Sequence, residues 1–221
     1  MQSKTIALIP LRGGSKSIPK KNIKLIADKP LCAWVLEAAV QAKAIDKVIV
    51  STDCPEIKSV VSMLNLGVTI LDRPPELATD EASTESVMLH VMQQLMFNIL
   101  VTIQATSPLL EAQHLDTALE RFKEHDLDSM LSAVRIKRFF WNDDATPINY
   151  NPLHRPRRQD FRGILMENGA FYITRRAILE RDQCRLGGKV GIYTMPETTA
   201  VEIDELNDWV MVEQLLRQQR R

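Results

Sequence analysis

An α/β fold with a mostly parallel central sheet is what this sequence predicts. Short apolar runs at 6–9, 47–51, 68–71 and 99–103 alternate with segments of helical spacing. The runs at 6–9, 47–51 and 99–103 end in polar or Gly-rich stretches, and ligands of open α/β sheets gather at the carboxyl ends of strands. A core of ordinary size and a site along one edge of the sheet are therefore expected.

The first run, 6–9, reads as a buried strand that stops at Pro10. The loop beyond it carries Gly13, Gly14 and the basic residues Arg12, Lys16, Lys20, Lys21 and Lys24. The two glycines permit close backbone approach and unusual dihedrals. Ser15 and the neighbouring amides form a candidate anion nest. A triphosphate meets that demand. The spacing of a P-loop is absent, and so is the Gly-x-Gly-x-x-Gly of a dinucleotide fold. Lys21 is expected to be an exposed loop lysine.

From Pro30, which suits a first helical position, Leu31, Trp34, Val35, Ala38 and Ala39 share one helical face. Strand 47–51 runs into Ser51-Thr52-Asp53. Helix 55–64 and a short strand, 68–71, follow. Two prolines and several cap-type residues make 72–84 a loop, with Ser83 or Thr84 capping a helix over 85–97. Strand 99–103 leads into Gln104. Helix 111–124 buries Leu115, Ala118, Leu119 and Phe122, and 129–134 is a further strand.

The rhythm then breaks. Phe139, Phe140 and Trp141 form an aromatic cluster, and 142–156 is rich in Asn, Asp and Pro. That stretch is too long for an ordinary connection. It reads as an excursion that covers a site or reaches a second subunit, its aromatics and arginines being typical interface anchors. A strand at 166–174, a helix from Arg175, a strand at 189–195 and a helix from Asp204 complete the chain.

The 221 residues suggest one domain, 1–221, with 138–163 as the excursion. Zero formal net charge argues against a nucleic-acid partner, and no apolar run approaches membrane-span length. Cys32, Cys54 and Cys184 are odd in number and lack zinc spacing, so reduced thiols in a cytoplasmic protein are expected. No signal peptide is expected ahead of the first strand. The histidines make no cluster, and His114 and His125 read as surface residues.

Several motifs, in order, resemble those of the acylneuraminate cytidylyltransferases. Positions 11–22 read Leu-Arg-Gly-Gly-Ser-Lys-Ser-Ile-Pro-Lys-Lys-Asn, close to that family's opening, with Leu11 for its usual Ala and Ser17 for its usual Gly. Ser51-Thr52-Asp53, the Arg-Pro to Ala-Ser loop at 73–83 and Gln104 to Pro108 match as well. Positions 155–160 and 167–172 look like the animal-type version. Glu202-Ile203-Asp204 stands where the family has Asp-Ile-Asp.

The resemblance implies the three-layer, Rossmann-like fold of nucleotide-diphospho-sugar transferases, a homodimer joined through the excursion, and no fused phosphatase domain. It implies CMP transfer from CTP to a nine-carbon 2-keto acid sugar, with pyrophosphate released. Such a transfer needs charge neutralisation and in-line positioning. Arg12 and Lys21 would then be catalytic. Arg12, Gly13, Ser15, Lys16, Asn22, Arg73 and Ser83 would bind the nucleotide, Asn22 alternatively serving the turn itself. Gln104, Asn168 and Gly169 would contact the sugar, the last two alternatively forming a simple turn. Arg158 and Gln159 would meet the sugar carboxylate or a second subunit. Asp204, and less directly Glu202, would hold Mg2+ or Mn2+, Asp204 alternatively capping the last helix. An eight-carbon keto acid, or binding of a nucleotide sugar without turnover, are the competing readings.

Overall fold

In a computed structural model, which describes residues 4–219, the first apolar run becomes strand β1 (Thr5–Pro10), buried up to Ile9. A two-strand hairpin follows, β2 (Leu25–Ile26) and β3 (Lys29–Pro30), turning through Ala27 and Asp28 in the left-handed region. Next come α1 (Leu31–Gln41), β4 (Lys47–Thr52), α2 (Pro55–Met63), β5 (Thr69–Asp72), α3 (Thr84–Gln94), β6 (Ile99–Ile103) and α4 (Ala112–Glu124). The chain continues through β7 (Ser129–Ile136), β8 (Ile164–Arg175), α5 (Arg176–Asp182), β9 (Val190–Met195) and α6 (Leu206–Gln219).

Seven strands form one sheet in the order β5-β4-β1-β6-β8-β7-β9. Pairing is parallel except along β8, which is antiparallel to both β6 and β7. The exception has a plain cause. The chain leaves β7, forms the excursion and comes straight back, so no crossover helix is needed.

Alternation along the strands divides the core. Ala7, Ile9, Val101 and Ile103 meet α1, α2 and α4 on one face. Ile6, Leu8 and Leu100 meet Val87, Met88 and Val91 of α3 and Leu179 of α5 on the other. Three layers result. A third cluster joins Ile18 of the opening loop, Leu31, Ile203 and Trp209, Val212 and Leu216 of α6. The last helix therefore backs the first loop. Among the described residues, no helix is long and apolar enough to cross a membrane.

Two local expectations change. The helix predicted to reach 97 ends at Gln94, because Leu95 turns extended and Arg176 donates to the carbonyls of Met92 (3.2 Å) and Leu95 (2.9 Å). That arginine satisfies carbonyls left over at the helix end. His114 is a half-buried cap residue rather than an ordinary surface one: its Nδ1 accepts the Glu111 N–H (3.2 Å), and burial lowers its pKa.

Candidate active site

The carboxyl ends of β1, β5 and β6 open onto a cleft of about 420 Å3. Arg12, Gly14, Ser15, Lys16, Lys21 and Asn22 form one wall. Arg73 and 79–84 form a second, Gln104 to Thr106 the floor, and Asp204 the far edge. Residues as far apart in sequence as Arg12 and Asp204, 192 positions, thus share one space.

The opening loop is shaped by its neighbours. Asp53 accepts the Gly13 N–H (3.0 Å), and the Asn22 amide donates to the Arg12 carbonyl (3.0 Å). Gly13 therefore turns its amide toward β4 rather than into the cleft. It must be glycine, because a Cβ would lie 2.8 Å from that of Cys54. Gly14 differs, since a Cβ there would meet nothing within 4 Å. Its openness leaves the backbone accessible from the cleft. Neither glycine lies in the left-handed region, which Lys20 occupies instead.

Lys21 departs from expectation. Its side chain is only 13% exposed, whereas that of Asp204 is 70% exposed. It donates to the Ile203 carbonyl (2.8 Å) and lies 3.3 Å from Asp204 Oδ1. It thereby ties the first loop to the segment before α6.

Arg73 is buried and spans the end of β4, donating to the Ser51 carbonyl (2.6 Å) and Ser51 Oγ (3.2 Å). Burial brings its pKa down to about 10, Asp53 opposing the shift and Arg12 adding to it. Ser83 caps α3 by accepting the Ser86 N–H (3.1 Å) and still lines the cleft.

The acidic edge is built by a glycine. Gly169 has φ +61°, and the position of its missing Cβ is taken by the Glu202 carboxylate. Burial, then Asp204 and Glu167, push the Glu202 carboxyl upward, with Lys21 pulling the other way. Asp208 accepts the Asp204 and Glu205 N–H groups (3.0 and 2.8 Å), so the α6 end is served by Asp208 and the Asp204 carboxylate faces the cleft. Two carboxylates crowded together fit what a protein contributes to a magnesium site, where substrate phosphates complete the shell. No cluster of three or more potential ligands exists among the described residues, so such a cation would depend on substrate oxygens.

Asn168 is not at the cleft. It is buried and donates to the Thr199 carbonyl (3.1 Å) and Thr199 Oγ1 (3.2 Å), holding the 197–200 turn that precedes Glu202 in the chain. Arg158 and Gln159 lie exposed on the excursion and do not line the cleft. Asp53, Asp80 and Glu167 stood inside quoted motifs without a role. The structure gives Asp53 the loop, Asp80 two loop cations, and Glu167 the Tyr172 hydroxyl as donor.

A family model described as cytidylyltransferase matches residues 6–218. The chain is 40% identical over 216 residues to N-acylneuraminate cytidylyltransferase A of Danio rerio, covering 94% of this chain and 50% of that one. It is 28% identical over 218 residues to the N-acylneuraminate cytidylyltransferase of Streptococcus agalactiae serotype III (95% and 52% covered). The chain thus spans about half the length of the curated relatives it matches. The solved structure of a CMP:2-keto-3-deoxy-manno-octonic acid synthetase complexed with CTP has the same fold: TM-score 0.75, 21% identity, 98% of this chain and 100% of that one covered.

Proposed function

The chain belongs to the cytidylyltransferase family, and on that premise we propose that it joins CTP to a nine-carbon 2-keto acid sugar, giving the CMP-sugar and pyrophosphate. The observation that carries this reading is the cleft itself, with Arg12, Lys16 and Lys21 on one wall, Gln104 on the floor and Asp204 at the edge. The relatives named for N-acylneuraminate support the choice of sugar.

In this reading the sugar's anomeric hydroxyl attacks the α-phosphorus through its oxygen and releases its proton to solvent. The bond to the β-phosphate oxygen breaks, and pyrophosphate leaves with the released charge. Arg12, Lys16 and Lys21 neutralise phosphate oxygens, and Lys21, held by the Ile203 carbonyl, is pre-positioned for charge that develops during transfer. Arg73 and Ser83 face the ribose and base. Gln104 orients the sugar with an amide that can donate and accept. Asp204, with Glu202 behind it, would hold Mg2+ or Mn2+, which when bound would offset phosphate charge.

The excursion supports a homodimer. Phe139 packs at a tilt against Tyr150 and Phe161 with Arg155 over its ring, yet Trp141, Ile148 and Leu153 remain exposed. Arg158 and Gln159 lie on the same arm, so in a dimer they would be carried toward the partner. A single domain with this arm and a cytoplasmic location belong to the same reading.

The test measures pyrophosphate release from CTP with a panel of nine-carbon acids and one eight-carbon acid, with Mg2+ and with a chelator. Turnover with a nine-carbon acid, abolished by chelation, is expected. Exclusive use of the eight-carbon acid would reverse the assignment.

A further inference from the structure

The cationic wall of the cleft carries an anion of the protein's own. Asp80 Oδ1 lies 2.5 Å from Arg12 Nη1, and Asp80 Oδ2 lies 2.6 Å from Lys16 Nζ. The Thr79 carbonyl accepts a further bond from Arg12 (3.3 Å). Three oxygens, two of them sharing a negative charge, thus face two of the cations that a triphosphate would use. All four residues line the cleft. The Lys16 and Arg12 contacts hold the Asp80 carboxyl below its usual range, so the group is charged at neutral pH.

The segment that bears these oxygens is lightly held. Thr79, Asp80 and Glu81 are exposed, and the bonds that fix their backbone are local, such as Ala78 N–H to the Pro75 carbonyl (3.0 Å) and Ala82 N–H to the Thr79 carbonyl (3.4 Å). Its far end is different. Ser83 is locked as the cap of α3, and α3 is anchored in the core by Val87, Met88 and Val91. The carboxylate can therefore swing out while the base-facing wall stays put.

We propose that Asp80 stands in for phosphate, so that an entering triphosphate must exchange with its carboxylate and departing pyrophosphate is replaced by it. The proposal rests on the nucleotide reading of the cleft. Exchange penalises every anion that binds there. A nucleotide offsets the penalty with base and ribose contacts, whereas phosphate or pyrophosphate alone has none. The device thus leaves the affinity ratio as it is, lowers occupancy of the site by bare anions, which lack other contacts, and helps product leave. Because the exchanged pairs are solvent-exposed, the effect is modest per pair.

The experiment is calorimetric titration of wild type, Asp80→Asn and Asp80→Glu with Mg-pyrophosphate and with CTP, at one fixed ionic strength. Melting curves confirm that each variant folds. Asp80→Asn is expected to bind pyrophosphate roughly five- to tenfold more tightly and to suffer stronger product inhibition by it. CTP affinity should rise by a similar factor, and Asp80→Glu should resemble wild type. Unchanged or weaker pyrophosphate binding by Asp80→Asn, with wild type still binding CTP, overturns the exchange alone. Failure of both wild type and variant to bind CTP or pyrophosphate overturns the nucleotide reading and this proposal together.

Discussion

Lys21 reaches across the cleft with its side chain largely buried, its ammonium on the Ile203 carbonyl and near Asp204. A lysine held in this way needs no reorganisation when charge builds on a phosphate. Lys21→Ala should lower turnover about 10²- to 10³-fold, measured as pyrophosphate release. It should also cost about 1 kcal/mol of stability, since a charged donor to a carbonyl is lost, and a thermal melt reads that change. Turnover within tenfold of wild type would remove Lys21 from the chemistry. The contrast with Asp80 is instructive. Both residues form ion pairs across the cleft, but one is largely buried on a rigid backbone and the other is exposed on a lightly held turn. The same charge–charge contact therefore serves positioning in one case and exchange in the other.

At the scale of elements, α3 matters because its first turn presents Ser83 to the cleft. That turn is docked by Arg185, whose guanidinium grips both oxygens of Glu85 (2.5 and 2.9 Å) and lies over the Tyr172 ring. The Arg185 contact holds the Glu85 carboxyl below its usual range. A depressed carboxyl contributes stability above its unfolded-state pKa and loses it as pH falls through the folded-state value. Glu85→Gln should therefore cost about 1 kcal/mol at neutral pH, discounted for partial exposure, and almost nothing well below the ordinary carboxylate range. Urea melts at the two pH values test this, and an equal loss at both would contradict it. The β8 strand makes a different point. Leu131 pairs with Tyr172 while Ala133 pairs with Glu167, so β8 bulges between them and lays Gly169 under Glu202. Apolar alternation cannot reveal such a bulge, because it reports which face a side chain takes and not where two strands fall out of step.

Across the whole molecule, an arm with self-packed aromatics and an exposed Leu153, 87% accessible, is an unfinished surface. Light scattering should give about twice the 25.1 kDa chain mass. Leu153→Asp should shift the protein toward monomer by placing a charge in an apolar contact. A wild-type monomer would leave the arm as a lid over its own cleft. The strands of the main sheet, the helices and the edge of the sheet that carries the cleft were legible from the chain alone, because burial periodicity and Gly-rich loops at strand ends are local properties. So was the grouping of Arg12, Lys21, Arg73, Ser83, Gln104 and Asp204, each standing in a motif at the end of an element. What only the tertiary structure decided is where side chains point. Asn168 turned inward to Thr199, Gly13 gave its amide to Asp53, Lys21 reached the Ile203 carbonyl and Asp80 entered the cationic wall. Those outcomes depend on partners 31, 40, 182 and 68 positions away, and competition among distant donors and acceptors is resolved only once the chain has packed.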